Sequence, residues 1–481
     1  MKNIGLKNFN RNLALLVFFL FVSYGVTSYS STLTNSTVCV NLDSYCYRYM
    51  GMLIAKGGIP YRDAFDNKGP LLYFLNCIGY LINKKYGVFI IEYIFMLAYL
   101  TLQYSIARRF VDIKRSVIYT FTALGPIGAF FDGNMTEEYA LLFISIGIAV
   151  FVDYFVFQKK EFYRIIICGI SCGAVLMIRP NMIALWGVFC IYEVCRNIKL
   201  HKKFPIKITS LFLAGVVLVV IPFIIWLGVN GALIEFWKDY IITNINYSSE
   251  CSTLSNIFKS FWGYFVASLS EIYIIFLIIL IIKKENIGFN ITYIIFMILN
   301  LFIVSLSGKG FSHYGLVSLP SLIYPVSSSS ITIKNYFKNK AYLFDFFLLA
   351  TSTLLFWFII DNYLTTIPAL SSGNPQESRN ERIVSFIVNN TEPSDRILVL
   401  GYKDYYYVES DRLASSKFHF ILPMNEDYPG GLLSVAEDIN NYPAKIVIVE
   451  GYVCPYFDFG NYCLVDEDLD IWMYIDDITS Q

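Results

Sequence analysis

Long apolar runs, separated by short polar stretches, follow one another from near the N-terminus to about residue 360. An α-helix rises about 1.5 Å per residue, so roughly 20 apolar residues cross the hydrocarbon core of a bilayer. The pattern therefore predicts about eleven membrane-spanning helices. They are expected near residues 12–32, 87–107, 116–131, 138–157, 164–180, 181–195, 208–228, 260–282, 289–306, 312–328 and 341–360.

The first run follows Lys2, Lys7 and Arg11, as the apolar part of a secretory signal peptide would. It lacks a clear small-x-small cleavage site and leads into further spans, so we interpret it as an uncleaved first helix. Composition agrees with a polytopic membrane protein. The 481 residues are 56% hydrophobic and 15% charged, whereas a soluble domain carries roughly 25% charged residues.

Basic residues predict the orientation, because loops rich in Lys and Arg stay on the cytoplasmic side. With eleven spans and a cytoplasmic N-terminus, 20 basic residues lie inside and 10 lie outside before residue 361. We therefore expect a multi-pass protein of the cell membrane with its C-terminus outside. The predicted outer segments are 34–86, 130–139, 178–181, 229–259 and 308–315.

The chain changes character after residue 361. Residues 362–481 contain 19 Asp and Glu against 7 Lys and Arg. The stretch ERIVSFIVNNTEPSDRILVLG predicts an amphipathic helix, a turn and a buried strand, and AKIVIVEG predicts a second strand. The expected organisation is a transmembrane domain at 1–361 and a small acidic extracytoplasmic α/β domain at 362–481.

The first outer segment, 34–86, carries its own structural signals. DSYCYRYMGMLIAKGG predicts a helix that ends at Gly57 and Gly58. LLYFLNCIGYLINKK predicts a short apolar helix lying at the membrane interface. A charged turn joins the two helices and contains Arg62, Asp63, Asp66 and Lys68.

The cysteines give two expectations. Cys39, Cys46, Cys251, Cys454 and Cys463 fall in predicted outer segments, where disulfides can form. A Cys454–Cys463 bridge is one candidate pairing. No Cys/His spacing along the chain is typical of a zinc site, so the sequence predicts no metal ligands.

The first outer segment also carries a recognisable motif. Its pattern is an Asp shortly after the first span, followed by G-x-x-Y-R-D-x-F-D-x-K-G-P-L-x-Y. The residues that supply it are Asp43, Gly58, Tyr61, Arg62, Asp63, Phe65, Asp66, Lys68, Gly69, Pro70, Leu71 and Tyr73. With NMTEEYALLF and GKGFSHYGLVSLP further along, the membrane portion resembles the GT-C fold glycosyltransferases, in the branch that includes aminoarabinose transferases and protein O-mannosyltransferases.

The resemblance implies an inverting transfer of a sugar from a polyprenyl-phosphate donor to an acceptor at the outer face. Such a reaction needs a carboxylate to take the acceptor's proton and cations to stabilise the departing phosphate. Asp43 matches the family's first-loop acid and is the candidate base. Ser44 stands where family members often have a second acid, so no cofactor is assigned and a divalent metal requirement is left in doubt.

The loop after the third span offers a second acid, for which Glu137 is the best match, Glu138 its nearest rival and Asp132 a further candidate. The alternative is that an acid in the first helical turn merely stabilises the positive end of the helix dipole. Glu92, in an earlier span, lies near the outer end of that span and could reach the interface.

Four basic or titratable residues are candidates for the donor phosphate. Lys68 matches the family's first-loop lysine, although a snorkelling lysine would look the same. Arg179 lies in IRPN at the outer end of an apolar run, and Lys309 and His313 flank the glycine-punctuated turn GKGFSHY. His201 and His419 lie elsewhere and do not join this group.

The remaining charges of the first-loop motif are interpreted as supporting residues. An Arg beside carboxylates can tie a turn together by charge-assisted hydrogen bonds, and an Asp can cap the following helix. We therefore expect Arg62, Asp63 and Asp66 mainly to hold the turn.

Two other functions remain open. One is a surface-glycan polymerase or ligase with a polyprenyl-diphosphate donor, and the other is a non-enzymatic flippase or transporter of lipid-linked sugars. A transporter should show inverted repeats, and none is evident in the sequence. The expected partners are the lipid bilayer, a polyprenyl-phosphate-linked sugar and a glycan, lipid or protein acceptor; no nucleic acid is expected.

Overall fold

The structure is a computed structural model, and it is mostly helical. It describes residues 2–33, 41–250, 253–336, 341–371, 379–420, 431–451 and 456–475. Cys454, one partner of the predicted disulfide, lies outside these residues, as do Cys39 and Cys251. Among the described cysteines, Cys46 and Cys463 form no disulfide.

The α-helices before residue 202 coincide with the first six predicted spans and add two helices in the first outer segment. They are α1 (Lys2–Thr27), α2 (Leu42–Ala55), α3 (Pro70–Ile82), α4 (Gly87–Ala107), α5 (Ile113–Leu124), α6 (Thr136–Phe151), α7 (Phe162–Leu176) and α8 (Ala184–His201).

The later helices cover the five remaining predicted spans and the tail. They are α9 (Ile206–Val229), α10 (Leu233–Phe236), α11 (Thr243–Glu250), α12 (Leu254–Ala267), α13 (Ser270–Ile282), α14 (Ile287–Ser305), α15 (Ile323–Tyr336), α16 (Ala341–Ser371), α17 (Arg379–Asn390), α18 (Tyr405–Ser410) and α19 (Gly431–Asn441).

Each predicted span contains helix, but the lengths differ. Six helical stretches in the described residues are long and apolar enough to cross a membrane. The run at 260–282 is two helices, α12 and α13, which are bent by 71° and would make a seventh span if they cross together. A 3-10 segment, Ser312–Leu322, precedes α15. The number of eleven spans remains a prediction.

The described residues divide into two compact units that do not follow chain order. The bundle unit comprises 1–33, 92–222 and 251–368, and the loop–tail unit comprises 34–91, 223–250 and 369–481. The first outer segment therefore belongs to the same compact unit as the acidic tail. Whether 362–481 is a separate extracytoplasmic domain remains a prediction.

Small residues allow close helix packing inside the bundle unit. A Cβ on Gly169 of α7 would lie 2.0 Å from the carbonyl oxygen of Phe212, and one on Gly215 of α9 would lie 2.2 Å from that of Ile166. Glycines are common where helices of membrane proteins approach closely. The α7–α9 crossing therefore depends on glycine on both sides.

The tail folds around a five-stranded sheet in the order β2-β1-β3-β5-β4. Its strands are β1 (Arg396–Gly401), β2 (Leu413–Ala414), β3 (Ile446–Glu450), β4 (Tyr462–Asp466) and β5 (Ile471–Tyr474). β1 pairs in parallel with β2 and β3, while β3–β5 and β5–β4 are antiparallel. The predicted helix at α17 and the predicted strands β1 and β3 are confirmed.

Within the loop–tail unit, helix α2 packs against both α3 and the tail. A Cβ on Gly51 would lie 2.5 Å from the backbone of Asn76, so only glycine permits this approach to α3. On the tail side, Tyr45 meets Tyr405 edge-on with ring centroids 5.2 Å apart. The predicted end of the helix is confirmed, since α2 ends at Ala55 and Gly57 has a positive φ of 89°.

Candidate functional site

Asp43 lies in the first turn of α2 and is partly exposed. The side chain of Asn41 caps this helix by accepting a hydrogen bond from the Ser44 amide at 3.2 Å. The hydroxyl of Tyr402, from the tail, donates to Asp43 Oδ1 at 2.5 Å. Burial, with the nearby charge of Asp43, raises the pKa of Tyr402, so this phenol remains a donor. The carboxylate is thus oriented while part of it faces solvent.

Lys68 sits at the end of the charged turn, just before α3. The hydroxyl of Tyr61 donates to the Lys68 carbonyl at 2.7 Å, and that of Tyr73 donates to Asp66 Oδ2 at 2.7 Å. Asp66 also accepts from the Asn67 amide at 2.7 Å. The turn is therefore fixed by buried phenols and a buried carboxylate. It holds Lys68 beside the N-terminus of α3, where the helix dipole also favours an anion.

Arg62 and Asp63 form a two-point ion pair at the start of the same turn. The Nε and Nη2 atoms of Arg62 donate to Asp63 Oδ1 and Oδ2, each at 2.7 Å. Arg62 Nη1 also donates to the Asn230 carbonyl at 2.9 Å, and Asp63 accepts from the Ile59 amide at 2.8 Å. These contacts connect the turn to the segment after α9. Any contact of either residue with substrate remains a prediction.

In the bundle unit, Glu137 and Arg179 contact each other. Arg179 Nη1 donates to Glu137 Oε1 at 2.5 Å, and Nη2 donates to the hydroxyl of Tyr314 at 2.7 Å. The Arg179 guanidinium also lies 4.4 Å from the centre of the Tyr314 ring. Thr136 donates to the other oxygen of Glu137 at 2.7 Å. The predicted second acid and a predicted phosphate ligand therefore form one network.

Loss of Arg179 should destabilise this network, because Glu137 is only 1% exposed. Removing one partner of a buried ion pair costs about 3–5 kcal/mol. We expect Arg179→Met to lower the thermal midpoint of the detergent-purified protein, and Glu137→Gln in the same chain to restore part of it. Thermal unfolding followed by intrinsic fluorescence measures both. An Arg179→Met midpoint equal to that of the parent would contradict the pairing.

Glu138, the rival of Glu137, is buried beside Glu92. Glu92 is itself buried in the bundle unit. It accepts hydrogen bonds from Ser30 at 2.9 Å and from the Asn134 amide at 2.5 Å, and also from Thr32. This carboxyl therefore joins the end of α1 to the loop before α6. That role was not evident from its place in an apolar run.

Lys309 lies in the turn before the 3-10 segment, and His313 is the second residue of that segment. His313 Nδ1 lies 3.1 Å from Asp132 Oδ2, and the ring of Phe311 stacks on the imidazole with centroids 5.8 Å apart. Gly308 and Gly310, on either side of the half-buried Lys309, both have a positive φ of 64°. The left-handed backbone explains why glycines occupy these two positions.

The candidate residues thus fall into two groups. Asp43, Arg62, Asp63, Asp66 and Lys68 lie in the loop–tail unit, and Glu137, Glu138, Arg179, Lys309 and His313 lie in the bundle unit. The catalytic and binding roles assigned to them remain predictions.

Two features of the loop–tail unit were not predicted from the sequence: the position of Tyr402 and the ion pair between Asp239 and Lys417. Tyr402 directly follows β1, and ligand-facing residues often follow the carboxyl ends of parallel strands, so its position offered a signal. Asp239 and Lys417 form a buried ion pair at 2.9 Å, for which no local signal exists. Burial raises the pKa of Asp239 to about 7, against the opposing effect of Lys417.

Comparison with known proteins gives a likeness of fold. No protein-family model matches the chain. No curated protein matches it either. Among solved structures, ArnT from Cupriavidus metallidurans bound to undecaprenyl phosphate is similar, with a TM-score of 0.65 and 13% identity over 96% of each chain. ArnT in the apo state gives a TM-score of 0.63 and 10% identity over 98% of each chain.

This likeness runs over nearly the whole of both chains, so it includes the acidic tail as well as the helices. ArnT is an aminoarabinose transferase of the GT-C fold. The resemblance drawn from the first-loop motif is therefore confirmed at the level of the fold. The chain has the architecture of a polytopic membrane protein with a small C-terminal sheet.

Proposed function

We propose that this protein is an inverting membrane glycosyltransferase that moves a sugar from a polyprenyl-phosphate donor to an acceptor. The observation that carries the proposal is the fold likeness to ArnT, whose structure holds undecaprenyl phosphate, over 96% of each chain. The first-loop motif adds support that does not depend on that comparison. Hydrogen bonds from Tyr61 and Tyr73 fix its charged turn, which places Lys68 beside the N-terminus of α3.

Asp43 is the proposed base. A general base must be ionised and reachable by the acceptor hydroxyl. Asp43 is partly exposed, whereas Glu137 is buried in an ion pair and Glu138 is buried beside another carboxyl. In the proposed step, the acceptor oxygen attacks the anomeric carbon, Asp43 takes its proton, and the bond from that carbon to the phosphate oxygen breaks. Polyprenyl phosphate leaves with the bonding electron pair.

Tyr402 is proposed to position Asp43 through its hydrogen bond. A hydrogen bond to a charged group contributes about 1.5–3 kcal/mol, which corresponds to roughly 10- to 100-fold in rate. We expect Tyr402→Phe to lower kcat by about that factor while the donor KM stays near the parent value. The exposed Tyr442 provides the matched control, Tyr442→Phe. Equal kinetics for Tyr402→Phe and the parent would contradict the positioning role.

The donor phosphate is proposed to bind Lys68, and Arg179, Lys309 and His313 are the alternative candidate ligands. Lys68 is the first choice because its backbone is fixed by Tyr61 and Tyr73. Arg179 already neutralises Glu137, so it would bind an anion with less net positive charge than a lone arginine. Since a compact lysine ammonium acts as a point charge, it suits a phosphate that leaves during the reaction.

The placement in the membrane follows from the distribution of basic residues. We propose that the chain crosses the membrane eleven times, with the N-terminus in the cytoplasm and both the first outer segment and the tail outside. The acceptor would then be a glycan, lipid or protein at the outer face. The sugar and the acceptor are best identified by finding which glycan disappears when the gene is deleted.

The experiment uses the purified full-length chain in lipid nanodiscs with sugar-labelled polyprenyl phosphate and a crude envelope fraction as acceptor. We expect label to leave the lipid and free polyprenyl phosphate to appear. Transfer from a diphosphate-linked donor alone would instead identify a polymerase or ligase. In proteoliposomes, movement of the labelled lipid between leaflets without release of sugar would identify a flippase, and either result would refute the proposal.

A further inference from the structure

Three chemically reactive side chains meet inside the loop–tail unit, next to the backbone of the charged turn. Cys46 comes from α2, Asp404 from the loop before α18, and His419 from the end of the described segment 379–420. They are 1%, 1% and 0% exposed, respectively. One nitrogen, one oxygen and one sulfur from the three residues lie within 4.8 Å of one another. Such a set includes the ligand types that zinc prefers.

The imidazole of His419 is oriented by a backbone carbonyl. Its Nε2 lies 2.9 Å from the Phe65 oxygen, and its Nδ1 lies 2.6 Å from Asp404 Oδ1. A carbonyl oxygen can only accept, so Nε2 carries a hydrogen. The short contact between Nδ1 and Asp404 Oδ1 shares one proton, and a metal ion that displaces this proton would bind both atoms. Metal-binding histidines are commonly fixed in this way, with the second nitrogen donating to a carbonyl.

The surroundings of the cluster favour a cation. Asp404 Oδ2 has no nitrogen or oxygen partner among the residues that the structure describes. A divalent ion bound here would give that buried carboxylate oxygen a partner.

We propose that Cys46 Sγ, a carboxylate oxygen of Asp404 and His419 Nδ1 bind one zinc ion. Zinc lies about 2.0–2.3 Å from such ligands and is tetrahedral, so small side-chain movements from the present separations suffice. On binding, the Cys46 thiol and the His419–Asp404 contact each lose one proton to solvent, and the fourth position takes a water or a neighbouring side chain. Zinc fits better than magnesium or calcium, which prefer all-oxygen sites.

A bound zinc ion would affect the part of the chain that carries Asp43. Cys46 lies one helical turn after Asp43 on α2, while Asp404 lies two residues after Tyr402. A metal ion at this place would link the first outer segment to the tail and fix both partners of the Asp43–Tyr402 hydrogen bond. The zinc site is proposed from its three ligands alone, so it does not depend on the proposed transferase function.

Metal content of the purified full-length protein tests the site directly. The protein is produced with zinc in the medium, passed over a metal-free column and analysed by mass spectrometry for metals. We expect about one zinc per chain in the parent and in Cys463→Ser, whose thiol is exposed. Cys46→Ser and His419→Gln should each lose most of it. Zinc at parent level in Cys46→Ser would overturn the proposal.

Cobalt exchange adds a readout that does not depend on activity. Cobalt bound to a thiolate absorbs strongly in the near ultraviolet, so the exchanged parent should show this band and Cys46→Ser should lack it. If Cys46→Ser fails to fold, the parent is used alone. Stripping with a chelator should lower its thermal midpoint, and zinc should restore it. A parent that takes up neither metal from a micromolar excess would overturn the proposal.

Discussion

Replacing Asp43 with Asn should reduce the turnover number by about 10²–10⁴-fold, the range that a general base contributes. The reason is that the amide cannot accept the proton of the acceptor hydroxyl as it attacks. Asn keeps the size of Asp and can still accept the Tyr402 hydrogen bond at its Oδ1 position. The folded state should therefore survive. Initial rates with saturating labelled donor, normalised to the amount of folded protein, measure the effect.

The matched control for Asp43 is Glu467→Gln, which neutralises an exposed carboxylate of the same compact unit. Its turnover should equal that of the parent. Equal turnover in Asp43→Asn and Glu467→Gln would remove Asp43 from the mechanism and make Glu137 or Glu138 the next candidate base.

Replacing Lys68 with Ala should lower kcat/KM for the lipid-linked donor by about 10²–10³-fold, as expected when a charge-stabilising donor is lost from a transition state. The turn itself should remain, because Tyr61 and Tyr73 bond the backbone of residue 68 and not its side chain. Lys68→Arg should recover part of the loss, since it keeps the charge. Donor titrations with the purified variants separate kcat from KM.

Lys85 provides the control for Lys68, because it is an exposed lysine at the end of the same outer segment. Lys85→Ala should leave donor kinetics unchanged. If Lys68→Ala and Lys85→Ala behave alike, the phosphate is bound elsewhere, and Lys309 and His313 are then the residues to change.

The sequence was sufficient where structure is local. Apolar runs predicted the helices, and the run at 87–107 coincides with α4. The short continuous apolar runs in RILVLG and KIVIVE predicted the buried strands β1 and β3, because strand patterns depend on neighbours along the chain. The bend between α12 and α13 was missed, because the apolar run at 260–282 continues through the break, where Leu269 has a positive φ of 59°.

Contacts between distant segments could not be predicted in this way. Nothing local indicates that Arg179 binds Glu137, or that Asp239 binds Lys417. The tail and the first outer segment share one compact unit, and no local pattern indicates that they do. Cys46, Asp404 and His419 meet only because α2 packs against the tail, so no Cys/His spacing could reveal them. The first-loop motif alone supplied Asp43 and Lys68.

Release of free polyprenyl phosphate is the most direct test of the central claim. The purified parent and Asp43→Asn are incubated in parallel with sugar-labelled polyprenyl phosphate and acceptor membranes, and the lipid products are separated. The parent should release one free polyprenyl phosphate for each sugar transferred, and Asp43→Asn should release almost none. Sugar-linked lipid that stays intact with the folded parent would contradict that claim.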